Sequence, residues 1–126
     1  MTKSDGVTGK SAPYDIRERT FQFAVRVVQF VNSLPRTLAA VELGRQLLRS
    51  GTSIGANVEE ADAAETRRDF VHKMGIARKE AQETRYWLRL LGVASPDQEG
   101  IKALLSEADE LARILSAIIR NARQNP

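Results

Sequence analysis

Phe70, Met74, Ala77, Ala81, Thr84, Leu88 and Leu91 recur at alternating steps of four and three residues, with no proline among them. That spacing brings a side chain back to the same side of an α-helix at every turn; on a strand it would scatter over both faces. Three other segments behave alike. Ile16, Thr20, Phe23, Val27, Phe30 and Leu34 form one stripe, widened by Phe21, Ala24, Val28 and Val31. Val41, Gly44, Leu48, Gly51, Gly55 and Val58 form a second, flanked by Leu43, Leu47, Ile54 and Ala61. Ile101, Leu104, Ala108, Leu111, Leu115, Ile118 and Ala122 complete the set. No segment carries a strand signal, so the chain is expected to be all-α. Four amphipathic helices on short connections predict an antiparallel up-down-up-down four-helix bundle.

The punctuation agrees. Residues 1–13 are polar and glycine-containing and read as a flexible tail, leaving 14–124 for the bundle. Asp15, with Glu18 three residues on, has the pattern of a capping box. Pro35 stops the first helix and Thr37 is placed to cap the second. Ser50-Gly51-Thr52-Ser53 could break that helix, but the apolar period stays in phase across it, which favours one continuous, kinked helix. Ala61 to Glu65 holds no breaker, yet without a turn there one helix would run from Thr37 to Gly92, too long for a compact domain of this size. The turn is therefore placed at residues 63–66, with Thr66 as cap. Gly92 is placed to close the third helix. Ser95-Pro96-Asp97-Gln98 restarts the fourth: serine cap, proline at the first position, glutamine three on.

Composition narrows the class. With 126 residues the chain suits one domain, and it has no cysteine, hence no disulfide or thiolate metal site. The N-terminus lacks the apolar core of a signal peptide, and no apolar run approaches the ~18 residues of a membrane span. A soluble cytoplasmic protein is expected. The net charge of +3 is mild.

No catalytic constellation stands out, and a non-enzymatic role without cofactor or small-molecule substrate is expected. Di-iron bundles need two Glu-x-x-His pairs plus further glutamates. Here His72 is the sole histidine, on the side of its helix away from the core stripe, and Glu59/Glu60 and Glu80/Glu83 have no histidine partners. Gly51 to Gly55 lacks the lysine and the preceding strand of a phosphate loop. Ser53, Asn57 and Glu60 lie near the apolar stripe of the second helix, as a buried polar network between helices or a polar site between subunits. The third helix has two unlike flanks. Arg78, Arg85 and Arg89, with Lys79 beside them and Arg67 and Arg68 at the start, form a basic flank that either meets nucleic-acid phosphates or is simply solvated. Ile76, Glu80, Glu83, Trp87 and Leu90 form the other, a candidate oligomer interface unless the bundle covers it itself.

The stretch RSGTSIGANVEEADAAETRRDF, Arg49 to Phe70, and the segment after it, VHKMGIARKEAQETRYWLRLL, resemble the four-helix bundle proteins related to the 23S ribosomal RNA intervening-sequence proteins. Ser53-Ile54, Asn57, Glu60 and Asp69-Phe70 are the most specific part. In the commoner form a proline follows Ser-Ile and a glycine follows the glutamate; here those positions are Gly55 and Ala61. The resemblance implies a bundle that assembles with itself as a homopentameric ring. It also implies kinship with the accessory variability determinants of diversity-generating retroelements, basic pentamers that work with a reverse transcriptase and nucleic acid. Most members have no established activity.

Overall fold

The computed structural model describes residues 12–124. They form four helices: α1, Ala12–Asn32; α2, Leu38–Asp62; α3, Arg67–Ala94; and α4, Gln98–Gln124. No strand occurs among the described residues. The tail expected over residues 1–13 lies, up to residue 11, outside the described residues; Ala12 and Pro13 already belong to α1. Asp15 therefore falls inside the first turn and is not its cap. Pro13 suits that turn, where its missing N–H has no intrahelical partner to lose.

Cross-helix contacts fix the direction of each helix. Arg17, near the start of α1, pairs with Glu59 and Asp62 at the end of α2, both at 3.2 Å. Lys73 of α3 reaches back to Glu60 of α2 at 2.6 Å, and Arg49 to Glu80 at 3.4 Å. Arg85 of α3 meets Asp109 of α4 at 2.5 Å. Each helix thus runs against the one before it, and α4 closes against α1. The closure carries a two-pronged bond, with Arg19 Nε and Nη2 donating to Glu107 at 2.7 and 2.9 Å. These charge-assisted bonds hold the Arg19 guanidinium above its ordinary range, against the opposing effect of partial burial.

The core follows the stripes. Ile16, Phe23, Val27 and Phe30 of α1 are buried against Leu47, Ile54 and Val58 of α2, Met74, Leu88 and Leu91 of α3, and Leu104, Leu111 and Leu115 of α4. Each fully buried large side chain contributes roughly 1.5–3 kcal/mol of transfer free energy. α2 runs through Ser50–Ser53 without interruption. Its buried glycines let α1 come close, since a Cβ on Gly55 would stand 3.4 Å from the Thr20 backbone.

Two helices present different stripes from those expected. Phe21 and Val28 do not widen the core face of α1; they are 58% and 41% exposed. On α2, Val41 and Leu48 also face outward, and Ala40, Leu47 and Ser50 take the inner positions. Each helix of a square bundle touches only two neighbours, so its buried arc is narrower than its apolar arc.

The caps divide in the same way. Thr37 Oγ1 accepts from the Ala40 N–H at 3.2 Å, and Thr66 Oγ1 from the Asp69 N–H at 3.0 Å. The α2–α3 turn spans 63–66. Gly92, by contrast, does not end α3, which continues to Ala94. Pro96 ends it by forcing Ser95 into an extended conformation, φ −104° and ψ 141°. Asp97, not Ser95, then caps α4: its Oδ1 accepts from the Gly100 N–H at 2.9 Å. Ser95 Oγ instead accepts from the Asp97 N–H at 3.2 Å, and Gln98 Nε2 donates to the Gly92 and Ser95 carbonyls at 3.0 and 2.8 Å. The proline displaces the cap two residues along the chain.

Candidate nucleic-acid interface

From the basic flank of α3, Arg85 lines the groove between α3 and α4. Arg85 Nε meets Asp109 across that groove, and Arg89 and Lys79 are exposed. Arg78 is half-buried two turns before Arg85. α4 adds cations of its own. Arg85, Asp109, Ala112, Arg113, Ser116 and Arg120 line an open groove of about 490 Å³. Arg113 is tied to Glu110 at 3.0 Å. Among the described residues Arg78, Lys79, Arg89 and Arg120 hold no ion pair. Arg113 and Arg120 escaped notice in the sequence, although they repeat the seven-residue interval of Arg78 and Arg85. Their membership depends on which side of α4 meets α3, and that is a tertiary fact.

Arg67 and Arg68 are exposed in the first turn of α3. Cations there oppose the helix dipole at a cost of a few tenths of a kcal/mol each. Asp69 and the Thr66 cap offset this locally. Tyr86 is 53% exposed beside the strip, edge-on to Trp87 with ring centroids 5.1 Å apart.

The opposite flank of α3 is already occupied. Glu80 and Glu83 both pair with Arg49 of α2. Trp87 packs against the core and its Nε1 donates to Glu83 Oε1 at 3.4 Å. Ile76 and Leu90 are half-buried. Within one chain, α2 and the core thus cover part of the flank expected as an oligomer contact.

The polar network expected at Ser53, Asn57 and Glu60 is not buried. Glu60 is exposed and holds Lys73, and Asn57 Nδ2 donates to the Ser53 carbonyl at 2.8 Å within α2. The buried polar link between helices lies one turn earlier. Thr84 Oγ1 donates to Ser50 Oγ at 2.9 Å, and Ser50 in turn donates to the Leu47 carbonyl at 3.4 Å. Both residues are fully buried. The sequence places Thr84 on the core stripe of α3, but Ser50 lies off the stripe expected for α2, so the pair appears only once the two helices are packed. Thr84→Val is expected to cost about 1 kcal/mol. The Ser50→Ala, Thr84→Val double variant should cost measurably less than the sum of the single ones, as urea midpoints would show. Strict additivity would rule out the coupling.

No group of three His, Cys, Asp or Glu residues among those described is placed to hold a metal ion, and His72 is exposed. No described helix is long and apolar enough to cross a membrane.

Residues 13–117 match the family model of the 23S rRNA-intervening sequence proteins. This chain belongs to that family. The chain is also similar to a protein of unknown function from the S23 ribosomal protein family of Bacteroides thetaiotaomicron VPI-5482, whose crystal structure is at 1.70 Å resolution. It is 35% identical, the match covers 87% of this chain and 99% of that one, and the TM-score is 0.77. Comparison with curated proteins finds no match. The residues that carry the resemblance, Ser53 to Glu60 and Asp69-Phe70, occupy the second half of α2 and the first turn of α3. The arginine strip begins beside them and runs away along α3.

Proposed function

We propose that this protein is a non-enzymatic bundle that binds the phosphates of structured nucleic acid on its α3–α4 face. The observation that carries the reading is the alignment of Arg78, Arg85 and Arg89 on α3 with Arg113 and Arg120 on α4, most of them without a carboxylate partner. Such a strip neutralises backbone charge without reading bases, so the reading is one of shape and charge, not of sequence. Exposed Tyr86 gives unpaired bases a surface to stack on.

The test is a titration of nuclease-treated protein with a hairpin RNA at several salt concentrations, followed by fluorescence anisotropy. Binding is expected to weaken steeply with salt. Replacing Arg78, Arg85 and Arg89 together by glutamine should lower the log–log salt slope by roughly 2–3, about one for each phosphate that is no longer neutralised. Salt-insensitive binding, or binding indifferent to the triple replacement, rejects the proposal.

A role as a protein-contact scaffold without nucleic acid is favoured by a separate observation, the apolar side chains left exposed on α1 and α2. The two readings use different faces and are separable by the same triple variant, which leaves α1 and α2 untouched.

A further inference from the structure

The register between α3 and α4 spaces the cations of their shared face evenly. Arg85 stands level with Asp109, which it meets at 2.5 Å, and Gly92 with Ile101, whose Cγ2 lies 4.0 Å from where a glycine Cβ would be. The helices run antiparallel, so Arg113 is level with Ala81, Arg120 with Met74 and Lys102 with Gly92. Arg78 and Arg89 lie on the same side of α3 as Arg85, and Lys102 on the same side of α4 as Asp109, by helical spacing. Along the bundle axis the order is Lys102, Arg89, Arg85, Arg113, Arg78, Arg120. Each step is roughly 5–6 Å, and the whole row spans roughly 27 Å. Neither helix has this spacing alone. The gap of about 10 Å between Arg78 and Arg85 on α3 is filled by Arg113, and that between Arg113 and Arg120 on α4 by Arg78. Lys102, Arg89, Arg78 and Arg120 hold no ion pair among the described residues.

We propose that, granted phosphate binding on this face as read above, the segment held there is an unpaired strand laid along the row, one phosphate to each cation. A nucleic-acid backbone that is free to straighten sets successive phosphates at about this interval. A duplex cannot follow the row. With ~10 base pairs to the turn, each of its strands curves away from a straight line after about three phosphates. Tyr86 points to the same class of ligand. Its ring is 53% exposed on α3, between the levels of Arg85 and Arg89, where a base turned away from the row can stack on it. A base paired inside a helix offers no free face for this. Asp109 opposes the strand at one step, because a phosphate must displace its carboxylate from Arg85. Its fixed negative charge in the groove lowers the affinity for any polyanion.

The test compares oligouridylates of about 2–12 nucleotides with a blunt RNA duplex of about twelve base pairs, by fluorescence anisotropy on the full chain at several salt concentrations. The single strands should gain affinity with length up to about seven nucleotides, enough for one phosphate at each cation, and the log–log salt slope should level off near about −4, at roughly −0.7 per phosphate. The duplex should bind at least about tenfold more weakly. Tyr86→Leu should weaken single-strand binding about tenfold and leave duplex binding unchanged. Asp109→Asn should tighten binding several-fold, a gain that a misfolded variant cannot produce. A duplex bound as tightly as the single strands, single-strand binding indifferent to Tyr86→Leu, or a slope that still grows well beyond that length overturns the proposal and leaves phosphate binding on this face intact. Unchanged binding by Asp109→Asn removes Arg85 from the row and overturns its even spacing. If hairpin RNA, single strands and duplex all fail to bind, the nucleic-acid reading falls with it.

Discussion

Replacing Gly51 by leucine is expected to remove about 3 kcal/mol or more of folding stability, enough to leave a marginal domain largely unfolded. Gly51 is buried on the side of α2 that meets α1. A Cβ added there would stand 2.9 Å from Val27 Cγ2 and 3.0 Å from its Cγ1. Valine in a helix is held in essentially one χ1 rotamer and cannot swing away, so relief requires the helices to part. Alanine is a finer probe. It would gain about 1 kcal/mol of helix propensity over glycine but meets the same two methyl groups. Gly51→Ala should therefore come out neutral or destabilising in the wild-type background, and more favourable when Val27 is also alanine. Urea denaturation of the four chains of that cycle gives the coupling directly. A Gly51→Leu chain as stable as wild type would show that the α1–α2 approach is not tight at this level.

The second large effect contrasts two phenylalanines of one helical segment. Phe23→Ala is expected to lose about 3–5 kcal/mol, and Phe21→Ala less than about 0.5 kcal/mol. Phe23 is 1% exposed among residues of the common core; Phe21 is 58% exposed. Both would have counted as core from the apolar arc of α1 alone. The measurement is the urea midpoint of each variant, taken at concentrations low enough that self-association adds nothing to apparent stability. Losses of equal size would mean that the apolar arc is buried in full.

These two residues show where sequence reasoning succeeds and stops. Phe23 lies on the helical stripe through Ile16, Thr20, Val27 and Phe30, all buried, so the repeat locates the inward direction. Phe21 sits at the edge of the arc, where burial depends on whether a neighbouring helix happens to lie there. Val41 and Leu48 fail for the same reason on α2. Threonine caps at Thr37 and Thr66 were readable because an N-cap bond spans three residues and involves no other element. Ser95 misled because Pro96 and Asp97 compete within the same few residues, and the side chain with the better-placed carboxylate wins.

The candidate site was readable on one side only. Arg78, Arg85 and Arg89 could be placed on one flank by counting along α3. Their α4 counterparts Arg113 and Arg120, and the Asp109 carboxylate that partly neutralises Arg85, come from a helix whose rotation no local pattern specifies. In the same way, that Glu80 and Glu83 pair with Arg49 and that Trp87 packs partly on the core is set by how α2 lies against α3.

By itself, then, the chain's sequence determined that there are four helices, where they turn, and, on α1, α3 and α4, which line points inward. Those features rest on backbone propensity and on a period of three to four residues, interactions that reach no further than one turn. The tertiary structure alone decided which apolar side chains stay outside, which arginines share a groove, and that Ser50 and Thr84 satisfy each other across α2 and α3. Each of these is set by the rotation and distance of one helix against another. Those are collective properties of the packed core, in which Gly51 and Val27 weigh as much as any charged residue.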